Sequence, residues 1–220
     1  MKGRYEKKRA LMSLVVIAAL AVIAAPAAAQ DTGSLFVVHG IPGLPMDVDV
    51  YANGSYVDSF GFAESLGPLN LPADDYYLEV MYDGILILST QATVMAGGNY
   101  TAIAHLTDLG GIALSLFDND ATDVPMGRVR LTVRHTAQAP EVALRLGRAS
   151  GLDVAVFTGL ANSEQIGPLV VRGNKFDAGL WVGDTEVFNS GLLELDYKTP
   201  YIVYAIGKFP ETFQLFVQVP

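Results

Sequence analysis

The sequence LFVVHGIPGLPMDVDVY, from Leu35 to Tyr51, returns in weaker form as VRLTVRHTAQAPEVALRL, from Val129 to Leu146. Each version contains an apolar run that ends on a histidine, a turn with proline, and a second run in which apolar residues alternate with others. Such alternation is typical of β-strands, so each version predicts two strands joined by a proline turn. A repeat of this kind predicts two domains that share one fold.

The histidines and prolines occupy matching places in the two versions. His39 precedes Pro42 and Pro45 in the first turn, and His135 precedes Pro140 in the second. Two equivalent histidines favour a shared structural role, in which each imidazole holds its turn by hydrogen bonds, over a metal-binding or acid–base role. The chain has no cysteine and no HExxH motif, so no zinc site is expected.

The rest of the chain consists of short apolar runs separated by turn signals, which is typical of β-sandwiches. Asn53-Gly54, for example, predicts a tight hairpin. We therefore expect an all-β protein with two tandem immunoglobulin-like antiparallel β-sandwich domains after an N-terminal signal peptide. The expected boundaries are 1–29 for the signal peptide, 30–120 for the first sandwich, 121–126 for a linker and 127–220 for the second sandwich. Helix is expected to be scarce, and only 138–147 and 160–165 could form a turn or two.

Several residues of the first copy form a motif found in a known family. They are His39, Pro42, Pro45, Val48, Asp49, Val50, Tyr51, Leu71, Pro72, Ala73 and Tyr76. With these residues the chain resembles the secreted bacterial family called domain of unknown function 4397. It departs from the usual motif by lacking an acid between the prolines and by inserting Met46, and the second copy has EVALRL in place of Val-Asp-Val-Tyr. The resemblance implies two tandem copies, a β fold and export, and it implies no activity.

The first 29 residues have the features of a secretory signal peptide. A basic segment is followed by an apolar run from Leu11 to Ala25 and by the small residues Ala27-Ala28-Ala29 ahead of Gln30. The apolar run is shorter than the roughly 20 residues of a membrane-spanning helix. We therefore expect an exported protein, located in the periplasm, on the cell surface or outside the cell, that contacts the membrane only through its signal peptide before cleavage.

Charge is distributed unevenly along the mature chain. Residues 31–120 contain 12 acidic residues and no Lys or Arg, whereas residues 121–220 contain 9 basic and 10 acidic residues. Without the signal peptide the chain carries 9 basic and 22 acidic residues, a net charge of −13. Nucleic acid is therefore excluded as an expected partner, because its phosphates would be repelled.

Few residue patterns in the chain indicate chemistry. There is no G-x-S-x-G motif, and paired acids such as Asp47 and Asp49 are explained more simply as solvated side chains than as a glycosidase pair. The best calcium candidates are Asp118, Asp120 and Asp123, followed by Asp47 and Asp49, but no EF-hand pattern is present and a polar linker is the preferred interpretation. No catalytic residue and no cofactor are expected.

These observations favour an exported, non-enzymatic β-sandwich module for binding or adhesion at the cell surface or in the periplasm. Its expected partner is a surface protein or a glycan. Trp181 and the tyrosines could form a platform for a sugar, although aromatic residues in strands are more often core or cross-strand pairs. Two alternatives remain: a structural component of the envelope, and a hydrolase that uses acidic residues of the first copy.

Overall fold

A computed structural model describes residues 31–44, 47–148 and 153–220. The described residues form strands and turns and no helix, so none of them belongs to a helix that could cross a membrane. The predicted signal peptide and Pro45 lie outside the described residues. The all-β prediction is confirmed.

The first domain contains eight strands in two sheets. They are β1 (Thr32–Gly40), β2 (Val48–Ala52), β3 (Ser55–Phe60), β4 (Ser65–Pro72), β5 (Asp74–Tyr82), β6 (Ile85–Val94), β7 (Asn99–Leu106) and β8 (Ile112–Asp118). One sheet has the order β4-β1-β7-β8 and the other the order β3-β2-β5-β6. Alternate residues of both sheets point inwards and form a core that includes Leu35, Val50, Leu78 and Tyr100.

The second domain repeats this arrangement strand for strand. Its strands are β9 (Arg128–His135), β10 (Val142–Arg148), β11 (Asp153–Leu160), β12 (Glu164–Arg172), β13 (Lys175–Val182), β14 (Thr185–Glu194), β15 (Pro200–Ile206) and β16 (Gln214–Gln218). Its sheets have the orders β12-β9-β15-β16 and β11-β10-β13-β14. The two tandem sandwiches predicted from the repeat are therefore present.

The sheets are antiparallel except for one parallel pair in each domain. β1 pairs in parallel with β7, and β9 pairs in parallel with β15. The strands of each parallel pair are far apart in sequence, since the chain crosses the whole sandwich between them. This crossover makes a parallel pair possible, because parallel neighbours cannot be joined by a tight hairpin.

Turn chemistry explains where the strands reverse. Asn53 and Gly54 both have positive φ, of 49° and 73°, as the predicted hairpin requires. Gly67 and its counterpart Gly167 sit at close approaches, because a Cβ there would lie 2.8 Å from the Leu35 carbonyl oxygen and 2.6 Å from that of Leu131. The equivalence of these two sites confirms that the two copies share backbone detail as well as topology.

The predicted helical turns are wrong. Residues 142–148 form strand β10, which pairs with both β11 and β13. Residues 160–165 end β11, make a turn and begin β12. The alternating Val142, Leu144 and Leu146 are buried in the sandwich, and this burial outweighs local helix propensity.

The two domains pack against each other through one sheet from each. Val38, Ile103, Ile202, Tyr204 and Ile206 form a buried cluster between β1 and β7 of the first domain and β15 of the second. The Gly207 N–H donates a hydrogen bond to the Gly40 carbonyl across this boundary, at 3.3 Å. Strands β1, β7, β9 and β15 are therefore covered on both faces, inside their own sandwich and between the domains.

Candidate functional site

The two repeat histidines are buried and hold their turns through different ring nitrogens. The Ile41 N–H donates to His39 Nδ1 at 3.3 Å, and His135 Nε2–H donates to the Pro140 carbonyl at 2.9 Å. Burial lowers the pKa of His39 to about 4, although the charges of Asp47 and Glu64 oppose this shift. Burial also lowers the pKa of His135, against the hydrogen bond to Pro140 and nearby acids. Both histidines thus form the hydrogen bonds that the predicted turn-holding role requires, and that role stays a prediction.

The third histidine lies at the boundary between the domains. His105 Nδ1–H donates to the Leu106 carbonyl at 2.9 Å, so Nε2 accepts a hydrogen bond from the Ser115 hydroxyl at 2.9 Å. Its side chain is fully buried, and this burial lowers the pKa of the imidazole. All three imidazoles are therefore shielded from solvent, which separates them from any substrate on the surface.

The acidic linker surrounds an arginine. The Arg130 guanidinium forms an ion pair of 3.2 Å with Asp120 and donates to the carbonyl of Asp123 and to the Thr122 hydroxyl. Partial burial works against the charge of Asp120, but the Thr122 hydrogen bonds and Arg130 hold its pKa below the usual value. In the loop that was the best calcium candidate, the Asp120 carboxylate is thus paired with a guanidinium. The side chain of Asp118 is exposed and takes no part in this pair.

The other acidic candidates lie in the first domain. Asp47 is exposed beside the β1–β2 turn, and Asp49 lies half-buried on the outer face of β2. Among residues 31–44, 47–148 and 153–220, no group of three or more His, Asp or Glu side chains is placed to hold a metal ion. Pro42 is half-buried in the first turn and Pro140 is exposed in the second.

The outer face of the β3-β2-β5-β6 sheet combines tyrosines with acids. Tyr51, Tyr56, Tyr77, Asp49 and Glu79 lie on this face, and the exposed Asp58 adjoins it at a bulge in the edge strand β3, opposite Val50. We call these residues together the tyrosine–acid face. Tyr51 lies opposite Tyr56 on β3 and opposite Glu79 on β5, with the two tyrosine rings 5.6 Å apart. Tyr56 is 55% exposed and Tyr77 is 42% exposed, so the rings are open to solvent.

The charges of this face act on its tyrosines. Local desolvation and the carboxylates of Asp58 and Asp49 raise the pKa of Tyr56. No Lys or Arg occurs between residues 31 and 120, so the first domain supplies no cation to these carboxylates. The face therefore offers aromatic rings and negative charge in one place, which is the combination that attracts a cation.

The corresponding face of the second domain contains its own cation. Arg145 occupies on β10 the place that Tyr51 occupies on β2, and its guanidinium carbon lies 3.9 Å from the centre of the Trp181 ring. This distance is well inside the range of a cation–π contact. The predicted aromatic platform at Trp181 is thus covered by an arginine of the same sheet.

The domain boundary contains a buried polar group that the sequence did not reveal. Arg134 is fully buried and donates to Gln165, to the Tyr204 hydroxyl and to the Asp118 carbonyl at 2.9, 2.6 and 2.9 Å. Its guanidinium also lies 4.4 Å from the centre of the Phe117 ring. The bonds to Asp118 and the contact with Phe117 join the two domains. Arginine is rarely buried, so nothing in its sequence context predicted this position.

Two residues of the family motif, Tyr76 and Pro72, form a hydrogen bond. Tyr76 at the start of β5 donates from its hydroxyl to the carbonyl of Pro72, at 3.0 Å. A tyrosine that bonds to the backbone a few residues upstream is a known stabilising device at the corners of immunoglobulin-like sandwiches. In the second domain Phe176 takes the place of Tyr76 and cannot form this bond.

Fold and site together define a tandem β-sandwich protein with a buried domain boundary and an exposed aromatic, acidic face. The family described as Domain of unknown function (DUF4397) matches residues 33–145, and the chain belongs to this family. That match covers the first domain and extends into β10 of the second.

Two further comparisons add little to this assignment. A search of the curated proteins gives no match. Among solved structures, the chain is similar to the Bacillus anthracis TIE protein, with 12% identity and a TM-score of 0.27. The similarity covers 81% of this chain but 34% of that protein, so this chain spans about a third of its length.

Proposed function

We propose that the protein is an exported, non-enzymatic binding module that uses the tyrosine–acid face to hold a positively charged segment of a surface protein. The observation that carries this proposal is the group of exposed tyrosines and acids in a domain that has no Lys or Arg. Lysine and arginine side chains would find aromatic faces and carboxylates together on this surface. The burial of all three histidines supports the non-enzymatic role.

The second domain supports the proposal with an internal example. Arg145 stacks on Trp181 in the same layer of the same fold, so this sheet geometry can hold a guanidinium against an aromatic ring. In the first domain Tyr51 takes the place of Arg145 and Met81 that of Trp181, so the face has tyrosine rings and no cation of its own. A partner would supply it, and the surrounding acids would speed its approach by long-range attraction.

The test is binding of a lysine-rich and an arginine-rich peptide to the mature chain, measured by calorimetry at several salt concentrations. We expect saturable binding that weakens as salt rises, because both contacts are electrostatic. Tyr51→Ala and Tyr56→Ala should each weaken binding by about two- to fivefold. Tyr197→Ala is the matched control, since Tyr197 is exposed in the second domain and is 48% accessible.

Two results would refute this function. One is peptide affinity that is identical in the wild type and in the double variant of Tyr51 and Tyr56. The other is a neutral glycan that binds to this face more tightly than either peptide. Turnover of a substrate that is lost on changing Asp49 to Asn would instead make the chain a hydrolase.

Export is part of the proposal and has its own test. The basic segment, the apolar run and Ala27-Ala28-Ala29 support cleavage ahead of Gln30. Intact-mass analysis of the exported protein should give a chain that begins at Gln30. A mass that retains Met1 would contradict the assignment of residues 1–29 as a signal peptide.

A further inference from the structure

An apolar cavity of about 210 Å³ lies between the two sheets of the second domain. Its walls come from both sheets and include Leu131, Leu144, Leu160, Phe176, Leu180 and Leu215. Protein interiors are normally close-packed, and voids larger than a water molecule are few. An apolar cavity of about 150 Å³ holds a benzene molecule, so this one is large enough for a small organic ligand.

The repeat identifies a residue whose size opens the cavity. Phe60 ends β3 opposite Val48 in the first domain, whereas Leu160 ends β11 opposite Val142 in the second. The aromatic ring of the first core is thus replaced by a smaller side chain that lines the cavity. At a second pair of equivalent positions the large and small residues are swapped between strands, so the total side-chain volume is unchanged. Leu78 lies opposite Ala52 in the first domain, and Ala178 lies opposite Leu146 in the second.

The cavity is apolar even where a histidine lines it. The Nε2–H of His135 is used by the Pro140 carbonyl, and its Nδ1 is buried away from the cavity space. A hydroxyl group inside the cavity would therefore find no hydrogen-bond partner. The cavity favours a ligand without polar groups.

The same end of the cavity adjoins the surface. A depression lined by Asp108, Gln138, Ala139, Pro140, Lys208 and Phe209 shares Ala139, Pro140 and Phe209 with the cavity wall. The shared residues come from the β9–β10 turn and the segment after β15. A ligand would enter there and reach into the apolar core of the domain.

We propose that the second domain binds a small apolar aromatic molecule that fills the cavity. By comparison with benzene, the cavity volume suits a ring with a short alkyl chain, about eight to ten non-hydrogen atoms. This site is separate from the tyrosine–acid face, which lies in the other domain.

The probes are 4-ethylphenol and ethylbenzene, which have nearly the same shape and differ by one hydroxyl group. Titration calorimetry and thermal melting of the mature chain should show one molecule of ethylbenzene bound per chain and a raised melting temperature. 4-Ethylphenol should bind roughly fivefold more weakly, because its hydroxyl group would be buried without a hydrogen-bond partner. Tighter binding of 4-ethylphenol would overturn the assignment of an apolar ligand, and no saturable binding of either probe would overturn the site.

Leu160→Phe tests the location, because it restores the residue of the first domain and fills the cavity. We expect it to weaken ethylbenzene binding by more than about tenfold, since ring and ligand compete for one volume. Leu109→Phe is the matched control, an identical change at a residue that is 92% exposed in the first domain. If Leu160→Phe does not fold, Ala178→Leu fills the same cavity from β13. A folded variant of either kind that binds as tightly as the wild type would overturn the proposal.

Discussion

The outer sheets of the two domains differ in where their positive charge comes from. On β10 and β13 of the second domain, Arg145 already stacks on Trp181 at 3.9 Å. On β2 and β3 of the first domain, Tyr51 and Tyr56 lie among carboxylates, and that domain contains no Lys or Arg. The same fold thus has one outer face with an internal cation–π pair and another with tyrosines and carboxylates but no cation of its own.

The inner sheets differ in a related way. Val38 and Arg134 each precede the repeat histidine of their domain, and both are completely buried at the domain boundary. Val38 contributes apolar surface, whereas Arg134 contributes three hydrogen bonds and a cation over Phe117. The comparison shows that duplication preserved the backbone while equivalent positions acquired unequal roles.

The largest expected effect comes from changing Arg134→Met, which removes the polar group at the boundary. Gln165, Tyr204 and the Asp118 carbonyl would lose a charged donor, so the free energy of unfolding should fall by about 3 to 5 kcal/mol. We also expect the single unfolding transition of the wild type to split into two, since the domains lose their link. Chemical denaturation monitored by circular dichroism measures both.

Lys175→Met is the control for Arg134→Met. Lys175 is exposed and forms a surface ion pair with Glu194 at 3.3 Å, so its loss should cost less than about 1 kcal/mol. A loss for Arg134→Met as small as that of the control would show that the boundary does not depend on this arginine.

A somewhat smaller effect should follow from acid. His39 has a pKa of about 4 in the folded protein and 6.5 as its ordinary value, so the unfolded chain binds the proton more readily. Its contribution to stability is complete above pH 6.5 and is lost as pH falls towards 4. Between pH 6.5 and 5 the loss from His39 alone should be about 2 kcal/mol.

The variant His39→Gln separates this effect from the titration of carboxylates. We expect it to be less stable than the wild type by about 1 to 3 kcal/mol at pH 7, because the longer amide side chain carries its acceptor past the position from which Nδ1 bonds to the Ile41 N–H. Its stability should then depend less on pH between 6.5 and 5, as measured by urea denaturation. Parallel pH profiles for the two proteins would mean that His39 is not buried neutral. His135→Ala is expected to destabilise the second domain by a similar amount.

A modest change would sharpen the contrast between the outer faces. Arg145→Ala uncovers Trp181, so the second domain should gain weak affinity for the arginine-rich peptide, about two- to fivefold above its basal level. Fluorescence of Trp181, the only tryptophan in the chain, would report the contact directly. An unchanged fluorescence titration would show that an uncovered ring is not sufficient and that the acids of the first face are needed.

The smallest expected effect concerns salt. The acids of the tyrosine–acid face repel one another, and dissolved ions screen this repulsion over about 10 Å at 0.1 M. Replacing Asp49, Asp58 and Glu79 by their amides should therefore reduce the rise in melting temperature that sodium chloride causes in the wild type. Amides at Asp184 and Asp196, two exposed acids of the second domain, where basic residues are present, should leave that rise unchanged. Identical salt responses in all three proteins would mean that the first-domain acids do not repel.

Repeating the thermal melts in calcium chloride at matched ionic strength separates calcium binding from screening. Because Arg130 already neutralises Asp120, we expect calcium to add nothing beyond screening. Extra stabilisation by calcium that disappears in the amide variant would place a cation at Asp49 and its neighbours.

The sequence predicted the duplicated sandwich because its local signals are strong. Asn53-Gly54 adopts the positive φ angles expected of it, and the histidine–proline segments mark equivalent strands. The predicted helical turns failed because Val142 to Leu146 is short enough to be interpreted either way, and pairing with two neighbouring strands decided it.

The domain boundary and the cavity were not predicted, for different reasons. The runs Leu35 to Val38 and Tyr201 to Ile206 are apolar or aromatic on both faces, which is the pattern of a strand covered on both sides, so the signal was available. Arg134 carried no such signal. The cavity depends on how many side chains fill one volume, which a linear pattern does not encode.

The domain boundary is formed by equivalent strands of the two copies, β1 and β7 against β9 and β15. Two separate copies that met in this way would form a dimer, and dilution would pull them apart. Here the short connection after β8 keeps each half at a high effective concentration next to the other. Assembly is therefore independent of how much protein is present, so a single molecule in very dilute surroundings retains the complete boundary.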